Sequence, residues 1–382
     1  MKYRMIPIEP LIARDARTFG SGGGGARVRS LDWLTQTVAA GSVRTALWKL
    51  TGETPSYLRS IAVRGPFPEI GGKVYFPRPL DFVQTQEGKP YQLLPAELED
   101  EQSADMPLEG LLLPSPDTEE NFKPQKRGGY WSLDLYSRWL YEEKRGLAER
   151  YGGDDGRVDF GDDWLDDIPK DERTHVSIAP ETGAAGDGKI FSSTGLDFVQ
   201  RTAERTYASI AAALEIDERA ARLLGDFTAP VGGMRRLADF RQTDDDAAWR
   251  CPPCLDRLRG GSQIRMILAT PALFANGWYP GWIGGDKNPP REGILPGTDV
   301  RVRLVSAVVG RWQPLSGWCH EKGRTGPKPM RRMVPAGSVY FFEVVAGNFV
   351  PDRVWLRSVC DEPQDRLDGF GLALWGGWRE HK

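Results

Sequence analysis

Arg265-Met266-Ile267-Leu268-Ala269-Thr270-Pro271 echoes Arg4-Met5-Ile6-Pro7-Ile8-Glu9-Pro10. Each run is apolar, opens on Arg-Met-Ile and closes on proline, which lacks the N–H that a hydrogen-bonded strand needs. Two matched openings predict two similar halves, each beginning on an equivalent strand. Residues 300–309, 338–345 and 370–374 are rich in apolar, β-branched and aromatic side chains and read as further strands. Upstream of them, strands are expected at 174–179, 189–198 and 207–216, with a short helix at 218–224. A longer helix is expected from Ser30, as N-cap, through Leu50. Leu31, Leu34, Val38, Val43, Ala46 and Leu47 would form its inner face, and Gly41 would interrupt it. Residues 130–151 also carry helical spacing, through Leu133, Tyr136, Trp139, Leu140 and Leu147.

Helices placed between strands in both halves predict an α+β fold of two ferredoxin-like (RRM-like) units. The expected division is 1–188 and 189–382. The irregular stretch 57–129 is read as an inserted arm, since a structureless loop of that length is rare inside a compact domain. With 44 glycines and 29 prolines, long turns and loops are expected around the sheets.

A formal net charge of -3, with 40% apolar and 27% charged residues, suits a soluble protein with substantial cores. It excludes a protein that coats nucleic acid over its whole surface, but not a confined groove, because local charge does the steering. Such a local excess exists: Lys328, Arg331 and Arg332, with Arg324 upstream, precede the strand at 338–345, and no acid falls between Glu321 and Glu343. Residues 152–172 are strongly acidic and read as a solvated loop without the ligand spacing of an EF-hand. Cys251, Cys254, Cys319 and Cys360 are too few and scattered for a disulfide scaffold. Cys251-Pro252-Pro253-Cys254 with Cys319-His320 offers four zinc-type donors, although adjacent residues rarely ligate one ion. No cofactor motif is present. The N-terminus lacks a signal-peptide core and no run reaches eighteen apolar residues, so a cytoplasmic protein is expected.

Several separated motifs together resemble the RAMP proteins of CRISPR effector complexes, and most closely the subunit 3 family of the Cmr (type III-B) complex. Pro10-Leu11-Ile12-Ala13-Arg14-Asp15-Ala16-Arg17-Thr18-Phe19, followed by glycines, is similar to the family's N-terminal strand and Arg-Asp loop, with Thr18 where proline is frequent. Residues 37–47 are similar to its first helix. His175-Val176-Ser177-Ile178 with residues 181–191 resembles its central strand, small-residue loop and returning strand. Gly232-Gly233-Met234-Arg235-Arg236 is similar to a Gly-Gly-Glu-Arg-Arg motif, with Met234 replacing the acid. Gly317-Trp318, the basic segment from Lys328, and the ending from Gly369 complete an ordered set spanning nearly the whole chain.

The resemblance implies two RAMP domains at the foot of a ribonucleoprotein filament. The subunit would hold the 5′ handle of the guide RNA (crRNA) and meet the Cas10-type large subunit and the first backbone RAMP subunit. It would not be a homo-oligomer and would have no membrane partner. The 5′-capping subunits of other type III complexes share much of the pattern.

A single-stranded handle needs phosphate donors, approachable backbone amides and flat rings for bases. Arg14, Arg17, Arg44, Arg235, Arg236, Lys328, Arg331 and Arg332 would supply the first. Gly22 to Gly25 and Gly183, Gly186 and Gly188 would supply the second. Phe19, Trp318 and Phe370 would supply the third, unless they pack in the core. His175 is read as an RNA contact, because no tyrosine–lysine set completes an acid–base pair. The expected protein is thus a non-catalytic RNA-binding scaffold. Two alternatives are a metal-independent endoribonuclease that processes repeat RNA and a protein-binding adaptor.

Overall fold

The computed structural model describes residues 1–14, 26–28, 30–97, 109–201, 207–284, 291–319 and 325–379. Along the chain, the main elements are β1 (Lys2–Pro7), α1 (Gln36–Thr51), β2 (Val63–Ile70), α2 (Leu133–Tyr151), β3 (Lys170–Ile178), β4 (Ala185–Leu196), β5 (Ala211–Ile216), α3 (Glu218–Leu224), β6 (Leu237–Thr243), β7 (Gln263–Leu268), β8 (Arg301–Val308), β9 (Val339–Ala346) and β10 (Leu372–Gly377). The fold mixes α and β, and its sheets are mostly antiparallel. Among the described residues, no helix is long and apolar enough to cross a membrane.

The chain gathers into two compact units, each drawn from three segments. Unit 1 is Met1–Gly72, Asp167–Asp244 and Pro314–Arg332; unit 2 is Lys73–Asp166, Asp245–Gln313 and Met333–Lys382. A cut at 188 would fall inside β4 and separate β1 from its neighbours. β1 is flanked on both sides by later strands, with Met5 opposite Ala212 of β5 and Phe240 of β6. Those ladders assign residues 211–243 to the first unit.

Unit 1 has the strand order β6-β1-β5-β2, with the strand Phe227–Pro230 outside β6. Tyr3 and Met5 of β1 are buried with Ala212, Leu214 and Ile216 of β5 and Ala238 and Phe240 of β6. The alternating buried positions are the period-two signature of a sheet with one covered face. α1 packs against β2 and buries Ala39, Ala40, Val43 and Leu47. It starts at Gln36 rather than near Ser30. The Ser30 hydroxyl accepts from the Ala13 N–H at 3.0 Å and donates to the Ala13 carbonyl at 3.2 Å, so it is not available as a cap. Gly41 does not interrupt the helix.

Unit 2 has the order β8-β9-β7-β10, flanked by Glu292–Ile294 beside β8 and Arg357–Ser358 beside β10. β7, the echo of β1, is again central, with Arg265 opposite Phe341 of β9 and Gly376 of β10. The stretch 57–129 is not a structureless arm. Val63 and Phe67 lie in the core of unit 1, and Tyr75, Phe76 and Phe82 in that of unit 2. Arg265, fully buried on β7, explains the attachment of the inserted segment. Its guanidinium pairs with Asp81 and donates to the Trp139 carbonyl, while the Trp139 indole donates to Asp81 at 3.0 Å. Around this clasp Phe82 meets Trp131, Trp139 and Phe160 edge-on, at centroid separations of 4.9, 5.7 and 5.9 Å.

The acidic stretch 152–172 also differs from expectation. Phe160, Trp164, Leu165 and Ile168 are buried, and the Asp163 carboxylate accepts hydrogen bonds from Lys73, Ser132 and Tyr151. Apolar residues spaced among the aspartates anchor a segment whose charge suggested solvation.

Candidate nucleic-acid interface

Three segments of unit 1 are tied together by backbone hydrogen bonds. The chain leaving β1 runs alongside the end of β4: the Leu11 N–H donates to Leu196 at 3.1 Å and the Leu196 N–H returns to Leu11 at 2.7 Å. Residues Ala26–Val28 lie parallel to Phe191–Ser193 of β4. One residue beyond Leu11, the Ile12 carbonyl accepts from the Gly233 N–H at 2.7 Å. A side chain at Gly232 would place Cβ 2.4 Å from that carbonyl, and its φ of +73° already favours glycine. The chain at Leu11–Ile12, the β3–β4 hairpin and the Gly-Gly-Met-Arg-Arg loop are therefore joined by backbone hydrogen bonds.

Arg14 is exposed on the first segment and bridges Ser30 through its backbone. Arg17, Phe19 and the glycines Gly22 to Gly25 lie outside the described residues. On the hairpin, His175 stands opposite Phe191 and stacks on its ring at 4.8 Å with planes 16° apart. The His175 Nε2 lies 2.7 Å from the Ser193 hydroxyl. No described carboxylate hydrogen-bonds to His175. Gly183 occupies the turn with φ +63°. Gly186 and Gly188, expected in the loop, belong to β4 instead. The register slips between Val176 and Ile178, so residues 186–189 form a bulge where glycine is at home.

The third segment is strained. Met234 and Arg235 both have left-handed backbones, φ 58° and 53°, without being glycine. Consecutive residues of this kind cost roughly 1–2 kcal/mol each. Met234 is 56% exposed and Arg235 is also exposed. Turns of unusual backbone hand aim successive N–H groups into one concavity, an arrangement suited to anions. Arg236 points elsewhere, into an ion pair with Glu9.

The basic segment 314–332 is part of unit 1. Its strands Trp318–Cys319 and Gly326–Pro327 pair, and the Lys328 N–H donates to the Gly317 carbonyl at 2.8 Å. Lys328, Arg331 and Arg332 are exposed. Trp318 is placed by its backbone in this hairpin.

One expected contact is corrected, and a second has a local partner. Phe370 is fully buried in unit 2 and has no face to offer a base. Arg44, half-buried on α1, donates to the Ile61 carbonyl at 2.7 Å and fastens the chain entering β2. The sequence contained no signal for the Ile12–Gly233 junction or the left-handed pair, because neither depends on residue type alone. Among the described residues, no group of three His, Cys, Asp or Glu could hold a metal. Burial pushes the Cys251 thiol up to about 12, with Asp352 adding to the effect, so without a bound metal it is a protonated, unreactive thiol.

No curated protein matches the sequence. Among solved structures, the chain is similar to one in the type III-B Cmr-β complex bound to cognate target RNA, with TM-score 0.48 and 15% identity over 89% of this chain and 86% of that chain. It is similar to one in the Cmr-β complex bound to cognate target RNA and AMPPnP, with TM-score 0.46, 15% identity and the same coverages of 89% and 86%. A chain of the Csm3–Csm4 subcomplex of the type III-A interference complex gives TM-score 0.33 and 10% identity over 91% and 94%. The sequence pattern of the CRISPR-associated family Cas_Cmr3 matches residues 3–378, and the chain belongs to that family.

Proposed function

We propose that this chain is a non-catalytic, RNA-binding scaffold subunit of a type III-B Cmr complex, holding the 5′ handle of the guide RNA. The observation that carries the reading is the connected surface of unit 1, where Arg14, the His175 hairpin and the strained Met234–Arg235 turn are joined by backbone contacts. Exposed arginines supply charge for phosphates, and the left-handed turn supplies oriented amides. Lys328, Arg331 and Arg332, exposed in the same unit, would add further phosphate contacts.

In this reading each unit is a ferredoxin-like RAMP domain. The support is the shared strand order, β6-β1-β5-β2 and β10-β7-β9-β8, with the matching Arg-Met-Ile strands second in each. Unit 1 adds α1 and α3 in its two crossovers. The remaining surfaces would dock the Cas10-type large subunit and the first backbone RAMP subunit, with one copy of this chain in each complex, in the cytoplasm.

The test is incubation of the purified chain with labelled guide RNA carrying its 5′ handle, resolved by native and denaturing gels with chelator present. Retarded but intact RNA is expected. Cleavage abolished by His175→Ala would replace the scaffold with an endoribonuclease, and absence of any retardation would leave the protein-binding adaptor.

A further inference from the structure

The ladder between β1 and β6 keeps one register from Lys2 opposite Thr243 to Pro7 opposite Ala238. Continued past β1, that register sets Ile8 against Leu237, Glu9 against Arg236 and Ile12 against Gly233. All three pairs are bonded. The Ile8 N–H donates to the Leu237 carbonyl at 3.0 Å and the Gly233 N–H to the Ile12 carbonyl at 2.7 Å, with the Glu9–Arg236 ion pair between them. The two positions in the middle break the ladder. Pro10 has no N–H, and Leu11 gives both its backbone groups to Leu196. Met234 and Arg235, which would face them, instead arch away in left-handed conformations, φ 58° and 53°.

The two feet of this arch are held by different means. At one, the Gly233–Ile12 hydrogen bond and the close approach of Gly232 to the Ile12 carbonyl fix the backbone. At the other, the carboxylate of Glu9 holds the guanidinium of Arg236. The turn itself, Gly232-Gly233-Met234-Arg235-Arg236, contains no acid, so this carboxylate has to come from the chain leaving β1. The Arg236 side chain is only 16% exposed, whereas Arg235 beside it is open to solvent. Without Glu9 a largely buried cation would lose its partner and would turn toward water, taking the foot of the arch with it.

We propose that Glu9 is a positioning residue for guide RNA: through Arg236 it holds the arch in the conformation that sets Arg235 against a backbone phosphate. This rests on the assignment of the Met234–Arg235 turn to guide RNA. It gives an acid a favourable part in binding a polyanion, which reverses the sign expected from charge alone. A carboxylate beside a phosphate site repels the ligand, so its removal ordinarily tightens binding. A strained turn held ready for the ligand has the opposite effect, because less ordering remains to be done when the ligand arrives.

Titration of the full chain with labelled guide RNA carrying its 5′ handle, at several salt concentrations, tests this. Glu9→Ala should weaken binding about tenfold although it removes a negative charge. Glu9→Gln, which keeps an acceptor oxygen for Arg236, should weaken it less. Arg235→Ala alone should weaken binding and reduce the log–log salt slope by about 0.7. In the Glu9→Ala background the same substitution should add no more than about a twofold loss, since its contact is already gone. Melting temperatures show which variants are folded, and Glu9→Gln carries the same test if Glu9→Ala does not fold. Tighter or unchanged binding by a folded Glu9 variant would overturn the proposal. So would an equal loss from Arg235→Ala in both backgrounds. No effect of Arg235→Ala in the otherwise unaltered chain would instead remove this turn from the guide-RNA surface, and the role of Glu9 with it.

Discussion

Arg265 sits on the central strand of unit 2 with no solvent exposure, and its charge is met by an equally buried Asp81. Burial pushes the Asp81 carboxyl up, while Arg265 and the Trp139 indole oppose the shift. Removing one member leaves an uncompensated interior charge. Asp81→Ala should therefore cost about 3–5 kcal/mol in urea unfolding. Asp81→Leu combined with Arg265→Met should recover most of that loss. At Asp163, burial works against the carboxylate, but hydrogen bonds from Lys73, Tyr151 and Ser132 prevail and hold its pKa below the ordinary value. A depressed folded pKa stabilises fully above the unfolded value and is lost as pH falls through the folded one. Melting temperature should consequently drop on acidification below about pH 4, and Asp163→Asn should flatten that acid limb. The Arg265 strand was legible as a pattern. Its partner was not, because Asp81 stands 184 residues away and an isolated aspartate gives no sign of burial.

At the scale of elements, local pattern located strands and helices but not their ends or roles. The helix ending at Thr51 was legible from its spacing, whereas its start depended on the tertiary bond between Ser30 and Ala13. Gly41 lies exposed within that helix, and an added Cβ would meet nothing within 4 Å. Gly41→Ala should stabilise unit 1 by roughly 0.8–1 kcal/mol, measured by chemical denaturation. The β3–β4 hairpin was visible as two strands around small residues. The bulge opposite Ser177 was not, since strand register is set by pairing partners rather than composition. Phe370 was misplaced for a related reason: an aromatic in a β-rich segment reads alike whether it faces core or solvent.

For the whole molecule, the matched Arg-Met-Ile runs were expected to open equivalent strands, and both are strands paired on each side by later ones. The interleaved units were not legible, because the ladders joining β1 to β5 and β6 span more than two hundred residues. The candidate surface followed the same division: Arg14, Arg235 and the basic segment stood out as residues, while the joining of the Arg14 and Arg235 segments depended on Ile12 meeting Gly233. The most direct measurement is the salt dependence of guide-RNA binding by the full chain, compared with the folded Arg14→Ala, Arg235→Ala variant. Loss of two phosphate contacts should weaken binding for all sequences alike and reduce the log–log salt slope by about 1.4, near 0.7 per contact on a single strand. An unchanged slope and affinity would contradict the assignment of this surface to RNA.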